Sequence, residues 1–141
     1  MIHNIIINVE TSHELDVVDI TDRIAEVIAN SGIKNGLINI FAQGSTCAVT
    51  TMEYEPGLIK DLGAIFQRIA PNEEDFEYLH QKRWNDNNGH SHIRASMIGQ
   101  NLSLPILEGV LKIGNWQQIV LIELDIKKRE RELVLTLVGD L

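Results

Sequence analysis

"QQIVLIELDIKKRERELVLTLVGD", Gln117 to Asp140, decides the fold class. Two apolar runs flank a short basic segment, and each has the length and composition of a β-strand. Just before them, "LSLPIL" (102–107) and "VLKI" (110–113) read the same way. Turn residues separate the runs: Glu108-Gly109, Gly114-Asn115 and the "IKKRE" segment. The chain beyond Gly99 is therefore expected to be all β. Lys127, Lys128, Arg129 and Arg131 are expected at a solvated hairpin tip, with contact to an anionic ligand of a neighbouring subunit as the lesser reading.

Upstream, the period of the apolar residues changes. Ile2–Val9 reads as a strand. Ile20, Ile24, Val27 and Ile28 then share one helical face, with Asp19 or Thr21 able to cap its start and Gly32 following its end. "GLINIFA" and "STCAVTTM" read as strands around Gln43-Gly44. Pro56 suits the first turn of a second helix, whose stripe is Leu58, Ile59, Leu62, Ile65, Phe66 and Ile69, and Pro71 ends it. Residues 71–89 are polar and expected to be loop-rich, and 91–99 to form a short helix. With no repeat or linker, residues 1–141 form one α+β domain, two main helices packed on a largely antiparallel sheet.

Composition narrows the function. Twelve basic and 20 acidic residues give a net charge of −8. A protein that grips a nucleic-acid backbone needs a basic face, so no nucleic-acid partner is expected. A small phosphorylated ligand remains compatible, because a local patch can oppose the net charge. No apolar run reaches bilayer length, and the N-terminus lacks signal-peptide features, so no membrane partner is expected. The single cysteine, Cys47, excludes an intrachain disulfide and suits a reducing cytoplasm. Its expected role is packing in an apolar strand.

The candidate chemistry begins with "YLHQKRWNDNNGHSHIRAS", Tyr78 to Ser96, which holds three of the five histidines: His80, His90 and His92. On an extended segment His90 and His92 point the same way, and His80 can fold back across a turn. Three imidazoles and a water make a catalytic zinc shell, which Asp86 or Glu53 can complete or orient. The plainer reading is acid/base or exposed loop histidines. Ser45 and Thr46, after Gly44, can hold a phosphate or simply form a turn. Glu53, Glu55 and Asp61 surround the second helix's start, where the helix dipole favours acids without a function. Trp116 and Gln117 can stack on and hydrogen-bond a ring, or belong to a core or subunit interface. No GxSxG, GxxxxGK[ST], GxGxxG or CxxC motif is present.

"GHSHIRASMIGQNLSLP", "GVLKIGNWQQIVLIELD" and "LVLTLVGD" together resemble the YjbQ-like family, often labelled secondary thiamine-phosphate synthase. The resemblance runs back through "STCAVTTMEYEPGLIKDL" to the first helix, and its specific part is His92–Gln117. It implies a homotrimer with an α+β fold. It also implies a polar, histidine-rich site near subunit boundaries where metal is sometimes seen. The activity implied is weak thiamine-phosphate synthesis, coupling a pyrimidine diphosphate to a thiazole phosphate with loss of pyrophosphate. His80 and His92 match family histidines, Arg94 the basic position after the second, Glu53 a glutamate before the second helix and Asp61 the aspartate inside it. Gly114, Trp116 and Gln117 match a Gly-Thr-Trp-Gln turn, with Asn115 in place of Thr. The departure is "QGST", where family members carry His-Thr-Thr or His-Thr-Ser and this chain has Gly44, Ser45 and Thr46.

His90 is then expected to restore the missing imidazole. The resulting expectation is a metal shell of His80, His90 and His92, with zinc as the ion. Glu53 and His92 are the catalytic pair, and Ser45, Thr46, Arg94, Trp116 and Gln117 bind a phosphorylated small molecule. The alternative is a non-catalytic protein that binds a metal or an anionic metabolite.

Overall fold

The computed structural model of the chain describes residues 1–72 and 76–141. The element order is β1 (Ile2–Glu10), β2 (Val17–Asp19), α1 (Thr21–Ser31), β3 (Asn35–Ala42), β4 (Cys47–Met52), α2 (Pro56–Ile69), α3 (Leu79–Trp84), α4 (Gly89–Ile98), β5 (Asn101–Leu107), β6 (Val110–Leu111), β7 (Gln118–Glu123) and β8 (Glu130–Asp140). This is the expected α+β class, with β2 and α3 added. The loop expected over 71–89 contains α3, and its residues 73–75 lie outside the described residues.

The strands form two sheets rather than one. The larger has the order β1-β8-β3-β5-β6 and the smaller β2-β7-β4, with every neighbouring pair antiparallel. β7 and β8 are therefore not a hairpin. The segment between them crosses from one sheet to the other, which corrects the expected hairpin tip.

Burial explains the split. In β8, Leu133, Leu135 and Leu137 are buried while the residues between them are not. One-sided burial produces such alternation along a strand. In β7, Ile119, Val120, Leu121 and Ile122 are all fully buried, so both faces of the smaller sheet are covered. Val49, Ile119 and Leu121 face the larger sheet and meet Ile38, Ile40, Leu133, Leu135 and Leu137, with Ile24 and Ile28 from α1. Ala48, Val120 and Ile122 face the other way, against Phe66 of α2 and Ala95 of α4.

The helix ends follow local chemistry. Glu55 caps α2, its carboxylate accepting from the Leu58 N–H, with Pro56 in the first turn. Thr21 N–H and Oγ1 both donate to Asp19 Oδ1 at the start of α1. Gly32 ends α1 at φ 75°, a left-handed conformation that glycine takes without a Cβ clash. No helix among the described residues is long and apolar enough to cross a membrane.

The central position of β7 makes a direct test. Leu121→Ala is expected to cost roughly 2–5 kcal/mol in urea unfolding, because it opens a cavity between two covered layers. The exposed Glu26→Ala on α1 is expected to stay within about 0.5 kcal/mol. Similar losses at both positions would place β7 at a solvent-facing edge.

A candidate functional site at the end of the buried strand

β7 runs out of the core carrying two acids. Glu123 is 0% exposed and Asp125 1%. Buried carboxylates are tolerated only when paired and hydrogen-bonded, and both are. Glu123 Oε1 accepts from Thr11 Oγ1 at 2.7 Å and Arg131 Nε at 2.9 Å, and Oε2 accepts from Arg131 Nη2. Asp125 Oδ2 accepts from Arg129 Nη2 at 2.7 Å and Nε at 3.1 Å. The two arginines expected at a hairpin tip are thus the counter-charges of two buried acids. Burial opposes ionisation of Asp125, but the Arg129, Ile126 N–H and Asn88 hydrogen bonds outweigh it and hold the carboxyl below its usual range.

Asp125 is also a hub. Its Oδ2 accepts from Thr46 Oγ1 at 3.1 Å, and its Oδ1 accepts from Asn88 Nδ2 at 3.3 Å. The other end of the Asn88 amide lies 3.0 Å from His80 Nε2 and 2.9 Å from Asp86 Oδ1. His80 Nε2 is itself 3.1 Å from Asp86 Oδ1. The His92 ring sits 4.5 Å from that of His80, centroid to centroid. Desolvation and the neighbouring His80 push the His92 pKa down, against the opposing pull of Asp86 and Asp125.

His90 does not join this corner. Residues 89–98 are helical, so His90 and His92 are separated by about 200° around α4 instead of sharing a face. His90 is 1% exposed and its Nε2 meets Glu14 Oε1. Arg94, one turn on, shares the His90 face. It donates through Nε to Ala70 O at 2.9 Å and through Nη2 to Gln67 Oε1 at 3.3 Å, and lies over the Phe66 ring. Both residues tie α4 to its surroundings. Among the described residues no three His, Cys, Asp or Glu side chains converge as a metal shell; at the corner the third donor is the amide of Asn88.

The remaining expected residues lie elsewhere. The register pairs Cys47 with Glu123 and Met52 with Gln118. Ser45 and Thr46 therefore share one end of the smaller sheet with Asp125, His80 and His92. Glu53, Trp116 and Gln117 lie at the other end, about 17 Å away by strand rise. There, Glu53, Tyr54, Glu55, Asn115 and Trp116 line a cleft of about 280 Å³. Trp116 is 76% exposed, so it is not a core residue of this chain. Gln117 is fixed by its bonds to Thr51 Oγ1 and the Gly114 N–H. Asp61 is on the exposed side of α2, at the rim of an apolar cleft with Met52, Leu62 and Ile65.

Sequence reasoning missed Asn88, Glu123, Asp125 and the structural use of Arg129 and Arg131. A signal was present: two acids two residues apart at the end of a run of buried β-formers.

Residues 5–140 match the family described as UPF0047 protein YjbQ-like, and the chain belongs to that family. A UPF0047 protein of Methanothermobacter thermautotrophicus is 35% identical over 121 residues, covering 86% of this chain and 82% of that one. The UPF0047 protein YjbQ of Escherichia coli O157:H7 is 30% identical, covering 86% and 87%. The crystal structure of a YbjQ-like protein of unknown function from Sulfolobus solfataricus P2 superposes with a TM-score of 0.91 at 34% identity, over 99% of both chains. The family is uncharacterised in function.

The His92 environment sets a titration. In protein freed of metal by a chelator, its NMR midpoint is expected below 6.5, the ordinary histidine value. Because the folded pKa is the lower one, the unfolded chain protonates first on acidification. The His92 contribution to stability is then lost as pH falls through 6.5 towards the folded midpoint, and His92→Gln removes that slope. A midpoint above 6.5 would mean that Asp86 and Asp125 outweigh burial.

Proposed function

We propose that this YjbQ-like protein is an enzyme for a phosphorylated small molecule, with its chemistry at the Asp125 corner. One observation carries the reading: the Asn88 amide lies between two carboxylates, Asp125 and Asp86. An amide donates from one end only. Without an ion the amide is better placed with its Nδ2 donating to Asp86 Oδ1 at 2.9 Å and to His80 Nε2 at 3.0 Å. A cation held by Asp86 and His80 turns the amide, bringing its oxygen to the ion and its Nδ2 to Asp125.

The donors fit a small divalent ion. His80 nitrogen, Asp86 carboxylate and Asn88 amide oxygen lie 2.9–3.1 Å from one another. Donors about 2.1 Å from one shared ion have separations of about 3 Å. A mixed nitrogen and oxygen set suits zinc. His80 is retained from the expected shell, with Asp86 and Asn88 in place of His90 and His92, and His92 stays beside the shell as a free imidazole. The ion supplies positive charge to phosphate oxygens.

The chain supplies the rest. His92, kept neutral by its surroundings, accepts a proton. Thr46 and Ser45 border the corner on its phosphate side. Arg94 is withdrawn from this role because its guanidinium is committed to Ala70 and Gln67. Coupling of a pyrimidine diphosphate to a thiazole phosphate is the first reaction to assay, and phosphate-ester hydrolysis the second.

Assembly as a homotrimer completes the proposal. The outer face of the larger sheet exposes Ile2, Ile6, Leu37, Phe41 and Val138, and large exposed apolar faces mark association surfaces. A closed ring joins unlike patches of successive copies. In such a ring the Glu53–Trp116 cleft of one copy meets the Asp125 corner of the next, reuniting Glu53, Trp116 and Gln117 with His92. The unpaired, buried Cys47 suits work in a reducing compartment such as the cytoplasm.

Elemental analysis with light scattering tests this reading. About one zinc per chain is expected, with a mass three times 15.9 kDa. His80→Ala and Asp86→Ala are expected to lose most of the ion, and His13→Ala and His90→Ala to keep it. Full zinc content in Asp86→Ala would overturn the site, and zinc binding without turnover on either reaction would leave a binding protein.

A further inference from the structure

We propose that Arg131 and the Gln43–Thr46 loop form the binding site for the phosphate group of the ligand. The loop joins β3 to β4 and lies over Arg131. The Arg131 side chain is more than nine-tenths buried. Its Nε and Nη2 are spent on Glu123 and Thr46. Its Nη1 donates to no acceptor among the described residues. It is not sealed in either: the fully buried side-chain polar atoms without a partner there are the Gln81 amide and Ser91 Oγ. Nη1 of this buried guanidinium thus keeps some contact with solvent and has no acceptor among the described residues.

Gly44 is what leaves it open. A Cβ at this position would lie 2.7 Å from Arg131 Nη1 and 3.3 Å from Cys47 Sγ. Any side chain here covers the donor. The backbone does not demand glycine, because the chain's left-handed glycines are Gly32, Gly99 and Gly109. In addition, the N–H groups of Gly44, Ser45 and Thr46 donate to no acceptor among the described residues, and Ser45 is exposed with its hydroxyl uncommitted. Consecutive free N–H groups beside a guanidinium make an oxyanion site.

The position suits a substrate. Thr46 Oγ1 touches Asp125, and Asp125 touches Asn88 of the metal corner. A phosphate held at Gly44 presents its ester side towards His80 and His92. Glu123 neutralises the paired edge of Arg131, so discrimination comes from the open Nη1 and the loop amides. The ligand class rests on the reading of this corner as a phosphate-ester site, but the site is tested without metal or turnover.

The test is a titration of the chelator-treated full chain with inorganic phosphate, followed by ¹H–¹⁵N NMR. Saturable shifts are expected at the Gly44, Ser45 and Thr46 amides and the Arg131 side chain. Gly44→Ala is expected to weaken phosphate binding about tenfold or more, through loss of a charge-assisted hydrogen bond. Its zinc uptake should remain that of the parent, while its melting temperature is expected to fall, because the new Cβ, 2.7 Å from Nη1, presses on a guanidinium held in the buried Glu123 pair. Arg131→Lys would report on the same donor but also disturbs the Glu123 pair, so Gly44→Ala is the deciding variant. Absent shifts at the loop, or unchanged phosphate affinity in a folded Gly44→Ala protein, overturn the site. Either result leaves the zinc reading standing on its own measurement.

Discussion

The burial of two carboxylates at the end of β7 constrains everything around them. Glu123 and Asp125 leave water almost completely, and each needs a cation and further donors at hydrogen-bond distance. The chain answers with Arg129 at the end of the crossover and Arg131 at the start of β8. That crossover cannot relax into a solvated hairpin without stranding an acid. Thr11 and Thr46 are drawn in from β1 and the β3–β4 loop, and Asn88 from the start of α4. One electrostatic requirement thus fastens four separate segments to one end of the smaller sheet.

A three-layer arrangement gives that end its place. The smaller sheet is covered by the larger sheet on one face and by α2 and α4 on the other, so its polar chemistry can appear only at its two ends. One end holds Asp125, Thr46, His80 and His92, and the other holds Glu53 and Trp116. An antiparallel sheet places neighbouring strand ends together, and this divides the family-matched residues into two groups. The residues expected to form one site therefore lie at two places in the chain.

Much of the fold was legible, because periodicity reports burial. The apolar run over 131–139 gave a strand, and the stripe of Leu58, Ile59, Leu62, Ile65, Phe66 and Ile69 gave α2, although Phe66 is its buried member and Leu58, Ile65 and Ile69 are exposed. Pairing was not legible, because two apolar strands joined by a polar segment look the same whether they form a hairpin or change sheets. The near-continuous run Ile119–Ile122 was the available clue to two-sided burial. At the site, the period assigned to 89–92 decided the outcome. Extended backbone aligns His90 with His92, whereas helical backbone sends one to Glu14 and the other to His80. Asn88 passed unnoticed because an amide in an Asn-rich stretch reads as turn chemistry until its neighbours in space are known.

The pairing of charges also sorts which groups remain available. His90, Arg94, Arg129 and the Nε and Nη2 edge of Arg131 are committed to neighbours in the fold. Two groups at the corner keep capacity: the Asp86 carboxylate, which the Asn88 amide and His80 share, and Nη1 of Arg131 beneath Gly44. The first wants positive charge and the second negative. They flank the same hub, since Asp125 touches Asn88 on one side and Thr46 on the other. A cation on one flank and an oxyanion on the other attract each other across Asp125, so each lowers the electrostatic cost of holding the other.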